Sequence, residues 1–264
     1  SNSPLRASLY RTPALTWCCR SMSAACDILE ERMVAREGAR SRPSQAEGDR
    51  HRPREGPGSL PSLIAEGLPP YGAKLYIGDT EGARDLALLK KHDITTVVNC
   101  AVNLDINYVL DPEDPAEGKR CAAGAGAVRY YKLGLVDDNG NPETMMLAGY
   151  YLLLGALHQD IPSRPSYARR GKGNILVHCR GGRSRSVALV VLFLHLQQPE
   201  RFPTLEAAQS HIRRNRELQP DEWFETPKPM LYRAAERSAQ WIRQIEAADR
   251  LAAEGSSVAI APVT

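Results

Sequence analysis

The sequence predicts an α/β fold: a central, mostly parallel sheet flanked by helices. Two observations predict it. Short runs with strand character, Lys74–Ile77, Thr95–Asn99, Val128–Leu135 and Asn174–His178, alternate with segments whose apolar residues recur at helical spacing. Strands that alternate with helices imply a largely parallel sheet. The apolar run Val187–Leu196 also follows the last of these strands after a short loop; it is too short to cross a bilayer and reads as a buried helix.

Taken in order, residues 38–61 are rich in Gly, Pro, Ser, Arg and Glu and cannot bury a core, so they read as a linker. Order is expected from about Leu68. After the strand Lys74–Ile77, Gly78-Asp79-Thr80 turns into a helix with Thr80 as N-cap, Glu81 near its positive end and Ala83, Leu86 and Leu89 on one face. Residues 109–127 form a Gly-, Pro- and acid-rich excursion. Pro142 opens a helix whose face is Met146, Tyr150, Leu153, Leu154 and Leu157. The strand Asn174–His178 leads into the helix Ser186–Gln197. Helices over Thr204–Arg216 and Pro227–Ala247 follow, the last with Leu231, Ala235, Ser238, Ile242 and Ile245 on one face. The expected organisation is an Arg-rich arm and linker over 1–67, a catalytic domain over 68–250 and a flexible tail over 251–264.

Charge and cysteine usage exclude several classes. Residues 1–60 hold 10 Arg, no Lys and 7 acids, whereas the remaining residues balance 24 basic against 24 acidic side chains. A balanced domain gives no case for nucleic-acid binding. The six cysteines, Cys18, Cys19, Cys26, Cys100, Cys121 and Cys179, contain no Cys-x-x-Cys pair, so neither a zinc site nor a disulfide framework is indicated. A reducing compartment, the cytoplasm, is expected. The alternative is organellar targeting: residues 1–26 carry Arg6, Arg11 and Arg20 and no acid. No transmembrane segment, cofactor or metal is expected, and oligomeric state is not encoded in any pattern read here.

The chemistry concentrates in His178-Cys179-Arg180-Gly181-Gly182-Arg183-Ser184-Arg185-Ser186. A loop that joins a strand end to a helix start turns several backbone N–H groups toward one point, and Gly181 and Gly182 let it curl. Such a nest fits the equatorial oxygens of a phosphoryl group, and Arg185 can grip two of them in a bidentate fork. The helix N-terminus and the arginines favour the Cys179 thiolate, which becomes the nucleophile. Ser184 is expected to hydrogen-bond the sulfur as it leaves. His178 is expected to fix the loop, and Arg180, Arg183 and Ser186 to line the phosphate site. A leaving alkoxide or phenolate needs a proton, for which Asp137 and Asp138 are the candidates, in a Gly-Asn turn after a strand. A buried cysteine beside a glycine turn is usually inert; here motif, strand and helix agree, which favours the catalytic reading.

At these residues the sequence resembles the dual-specificity protein phosphatases of the cysteine-dependent phosphatase superfamily. The likeness covers about residues 68–247. Leu75-Tyr76-Ile77-Gly78-Asp79, Ala83 and Ile94-Thr95-Thr96-Val97-Val98-Asn99 resemble the family's opening elements. Tyr130-x-x-Leu133-x-Leu135-x-Asp137 resembles its general-acid segment, and Thr204–Arg216 its later helix. The resemblance implies that Asp137 is the acid, with Asp138 the runner-up, and that phosphotyrosine and phosphoserine/threonine on proteins are hydrolysed through a phosphocysteine intermediate.

The sequence departs from tyrosine-specific relatives in lacking Trp-Pro-Asp and their phosphotyrosine-recognition loop, which favours a shallower pocket. Arg180 and Arg183 resemble basic residues of superfamily members that act on phosphoinositides or phosphatidylglycerophosphate. A phosphoinositide or other non-protein substrate is therefore the alternative, and a catalytically silent phosphoprotein-binding module the third reading. Arg169, Arg170 and Lys172 precede the strand that ends at Cys179; with its five residues spanning roughly 17 Å, they are expected at the far end of the sheet. Val98-Asn99-Cys100-Ala101 resembles a strand-end segment that carries a resolving cysteine in some phosphoinositide phosphatases. Cys100 is thus either a small core residue or the redox partner of Cys179.

Overall fold

The central strands are buried on both faces, which is why their sequences are largely apolar. In the computed structural model, which describes residues 60–114, 121–165, 167 and 171–257, five strands pair in the order β1-β2-β7-β3-β6. They are β1 (Ser62–Leu68), β2 (Ala73–Gly78), β3 (Ile94–Ala101), β6 (Arg129–Leu135) and β7 (Asn174–His178). Pairs β2–β7, β7–β3 and β3–β6 are parallel, and β1 is antiparallel on β2. The mostly parallel α/β class holds. β4 (Val109–Asp114) and β5 (Ala123–Gly126) form a separate two-stranded sheet within the excursion.

Successive side chains on a strand point to opposite faces. Tyr76, Val97 and Leu176 therefore pack on one face, with Ala83, Leu89 and Ile94. Leu75, Ile77, Val98, Ile175 and Val177 pack on the other. The first face is covered by the short helices α1 (Thr80–Arg84) and α2 (Leu86–Lys91), the second by α3 (Thr144–His158), α4 (Arg185–Gln197), α5 (Leu205–Asn215) and α6 (Pro229–Ser257). Every residue of α4 from Arg185 to His195 is buried, which is why its sequence is apolar all round rather than amphipathic. Truncating Leu189 or Leu192 to alanine would cost about 2–5 kcal/mol.

The structure corrects several expectations. The N-cap of α1 is Asp79, whose carboxylate accepts the Gly82 N–H at 2.9 Å, and not Thr80. The segment expected as one helix breaks at Asp85, which caps α2 by accepting the Leu88 N–H. A strand, Ser62–Leu68, already begins ahead of Leu68 and lies at the sheet edge as β1. The last helix runs to Ser257, beyond Ala247 and into the stretch read as a tail, and Ile245 on it is exposed. A 3-10 segment, Pro220–Glu225, lies between α5 and α6. Lys172, at the sheet end opposite the Cys179 loop, pairs with Asp160 and lies over the Tyr71 ring. Arg169, Arg170, Cys18, Cys19, Cys26 and the rest of the N-terminal arm lie outside the described residues, as do residues 258–264. Among the described residues no helix is long and apolar enough to cross a membrane.

Candidate active site

β7 ends at His178 and α4 begins at Arg185, so Cys179–Ser184 turns from a strand end into a helix start. The turn needs glycine at 182: its φ is +64°, and a Cβ there would stand 2.5 Å from the Gly78 carbonyl oxygen. The loop carbonyls are drawn outward. Thr80 donates its N–H and its hydroxyl to the Arg180 carbonyl, each at 3.1 Å. Arg216 donates Nε to the Gly182 carbonyl at 3.1 Å and Nη2 to that of Gly181 at 3.4 Å, while its Nη1 reaches the end of β2 at Ile77. Because a peptide is planar and trans, carbonyls held outward leave the N–H groups of the following residues facing inward.

Cys179 lies at the floor of this cup, 3% exposed. Burial alone pushes its thiol up. The Ser186 hydroxyl 3.3 Å from Sγ, the Arg185 charge and the Ser186 and Arg183 N–H groups outweigh burial, so the thiol ends below its ordinary range. The serine at the sulfur is therefore Ser186 and not Ser184. Ser186 stands in the first turn of α4, where side chains lean back toward the helix start and so over the loop. Ser184 instead accepts the Lys228 N–H at 3.3 Å.

Arg185 is 4% exposed. Its Nη1 donates to Asn103 Oδ1 at 3.2 Å and to the Leu135 carbonyl at 3.4 Å. Its Nε faces Asp137 Oδ1 at 3.7 Å, too far for a hydrogen bond, and both of these atoms are buried without a hydrogen-bond partner. Asp138 is occupied in its own turn, accepting the Asn139 N–H at 2.7 Å. Asn141 closes the turn by accepting the Val136 N–H and donating to the Val136 carbonyl, each at 2.8 Å.

His178 is fully buried, with Nδ1 3.3 Å from the Cys179 carbonyl. A carbonyl can only accept, so Nδ1 carries the proton. Burial pushes the imidazole down to about 4, against which the Cys179 carbonyl and Asp79 pull upward, so it is neutral near pH 7 and braces the loop. Arg180 is exposed. Arg183 is engaged by Glu222 at 2.5 Å, which ties the 3-10 segment to the loop. Sequence reasoning missed Asn103, Lys228 and Arg216 as site residues. Their signal was faint: one polar side chain after a strand, one lysine between two prolines and one arginine at a helix end.

A curated mouse protein, dual specificity protein phosphatase 19, is 26% identical over 130 residues, which are 49% of this chain and 47% of that protein. By sequence the chain is related to the dual-specificity protein phosphatases. It spans about half the length of that curated relative. No protein-family model matches. Among solved structures, the Yvh1 phosphatase domain from Chaetomium thermophilum is 19% identical with a TM-score of 0.46, covering 70% of this chain and 96% of that one. The human tyrosine phosphatase-like serine/threonine/tyrosine-interacting protein is 20% identical with a TM-score of 0.45, covering 69% of this chain and 97% of that one.

Proposed function

We propose that the chain hydrolyses phosphomonoesters, with phosphotyrosine and phosphoserine/threonine on proteins as substrates, through a phosphocysteine intermediate. The observation that carries this is the convergence on one cup of a thiol held below its ordinary range, a buried guanidinium and a carboxyl, with Arg185 Nε and Asp137 Oδ1 facing each other and not yet hydrogen-bonded. Those two atoms are what a phosphoryl oxygen and a leaving oxygen would satisfy.

In the first step the Cys179 thiolate attacks phosphorus. An S–P bond forms as the P–O bond breaks, Arg185 and the loop N–H groups hold the equatorial oxygens, and Asp137 gives its proton to the leaving oxygen. In the second step water attacks the phosphocysteine and passes its proton to Asp137. The S–P bond breaks, inorganic phosphate leaves, and the thiolate returns to the Ser186 hydroxyl. The chemistry requires a reduced thiol and so fits a reducing compartment such as the cytoplasm. The pairing of Arg183 with Glu222 weakens the argument that this arginine reads a second phosphate, so proteins are preferred over phosphoinositides.

Cys179→Ser is expected to lower hydrolysis of an aryl phosphate by at least about a thousandfold while vanadate or phosphate binding persists. A variant within about tenfold of the parent would overturn the assignment. A panel of phosphopeptides and phosphoinositides, with Cys179→Ser as the blank, reads the substrate class. Preference for phosphoinositides would replace the protein reading.

A further inference from the structure

The turn Val136–Asn141 is a closed ring, stapled to itself through Asn141. Two side chains from elsewhere in the fold reach Asp137 within it. One is Arg185, already described. The other is Lys228, whose Nζ donates to the Asp137 carbonyl at 2.9 Å. Nothing in the catalytic scheme above uses this lysine.

Lys228 is built to hold position. Its N–H donates to Ser184 Oγ on the catalytic loop at 3.3 Å. Its carbonyl accepts the Leu231 and Tyr232 N–H groups, each at 3.1 Å, so it anchors the first turn of α6. Pro227 and Pro229 flank it, which fixes their φ and restricts the backbone of Thr226 and Lys228. Thr226 and Pro227 are buried beneath it. A single residue thus touches the loop that carries the nucleophile, the turn that carries the acid and the start of a helix packed on the core.

We propose that Lys228 is a positioning residue that holds the Asp137 turn in register over the catalytic loop. The ammonium suits the role because a backbone carbonyl needs a donor, and a charged donor makes the stronger bond. The proposal rests on the phosphatase reading in taking Asp137 as the acid, but its physical content, that Lys228 restrains the turn, stands apart from activity.

Two measurements test it on the full chain, with Lys228→Met keeping the stem and removing the donors and Lys228→Arg restoring a donor. In the first, amide hydrogen exchange is read at Val136–Asn141. Lys228→Met is expected to speed exchange there by about tenfold or more and leave the β3 and β7 amides unchanged, with Lys228→Arg near the parent. Unchanged exchange at the turn, or acceleration spread over the whole chain, overturns the restraint. The second is turnover of phosphate esters of differing leaving-group pKa. Lys228→Met is expected to lower kcat by about tenfold for an alkyl phosphate and by less than about twofold for a nitrophenyl phosphate, with KM little changed. Equal losses on both esters would mean that Lys228 merely stabilises the fold, and overturn the positioning role. A parent without Cys179-dependent turnover would refute the function proposed above, while the exchange result would still decide whether Lys228 restrains the turn.

Discussion

Cys100 and Cys179 are neighbours that behave as opposites. Asn99 on β3 is in register with His178 on β7, so each cysteine lies one residue beyond that pair, and both are buried. Burial pushes the Cys100 thiol far up, and the neighbouring Cys179 pushes it further, with only Arg185 opposing. Cys179 carries a burial penalty too, yet ends below its ordinary range. The difference is the loop. Cys100 sits within β3 with only the Arg185 charge favouring its thiolate, whereas Cys179 faces N–H groups that the outward carbonyls of residues 180–182 have turned inward, with the Ser186 hydroxyl beside it. A buried sulfur becomes a nucleophile through the dipoles and hydrogen bonds aimed at it, not through its depth.

The largest effect short of removing the nucleophile is expected at Asp137, the acid proposed to act with Cys179. Asp137→Ala should lower kcat by on the order of a hundredfold for poor leaving groups and far less for nitrophenolate. Asp138→Ala, which only loosens a turn, should stay within about threefold. If Asp138 is the damaging position and Asp137 the mild one, the acid is misassigned by one residue.

Next comes the serine that separates the two thiols. The thiolate is the species that alkylates, so a lowered pKa starts reaction at lower pH. The iodoacetamide rate at Cys179 should have its midpoint below the ordinary 9.0, and Ser186→Ala should move it upward. Cys100 should remain unlabelled over the same range. A Ser184→Ala shift as large as that of Ser186→Ala would place the wrong serine at the sulfur.

The smallest effect asks whether the contrast can be bridged. Strand neighbours lie about 5 Å apart, inside the reach of a disulfide. Peroxide would oxidise Cys179 to a sulfenic acid; attack by Cys100 would then form the S–S bond and release water. A Cys100–Cys179 linked peptide, with irreversible inactivation of Cys100→Ser a few-fold faster than parent, is the expected result. Equal irreversible loss without a linked peptide would leave Cys100 as a core residue.

The features that local chemistry dictates were legible in the sequence. Short strand-like runs and helical spacing located β2, β3, β6, β7 and most helices, and the glycine-rich run between an apolar strand and an apolar helix located the loop. What was hidden depends on contacts across the chain. Ser62–Leu68 is a strand only because β2 has an open edge for it. The choice between Ser184 and Ser186 turns on which side of α4 faces the sulfur, and the roles of Asn103, Arg216 and Lys228 exist only once β3, α5 and α6 have docked. The contact of Arg183 with Glu222, 39 positions away, was hidden for the same reason.

The central claim is that Cys179, and not its buried neighbour, takes the phosphoryl group. Mixing the protein with a phosphate ester labelled on phosphorus, quenching in acid within the first turnover and mapping the peptides tests this directly. Label is expected on the Cys179 peptide, at no more than one phosphate per chain, lost in Cys179→Ser and kept in Cys100→Ser. Steady hydrolysis with no labelled Cys179 peptide, or label on Cys100, would contradict it.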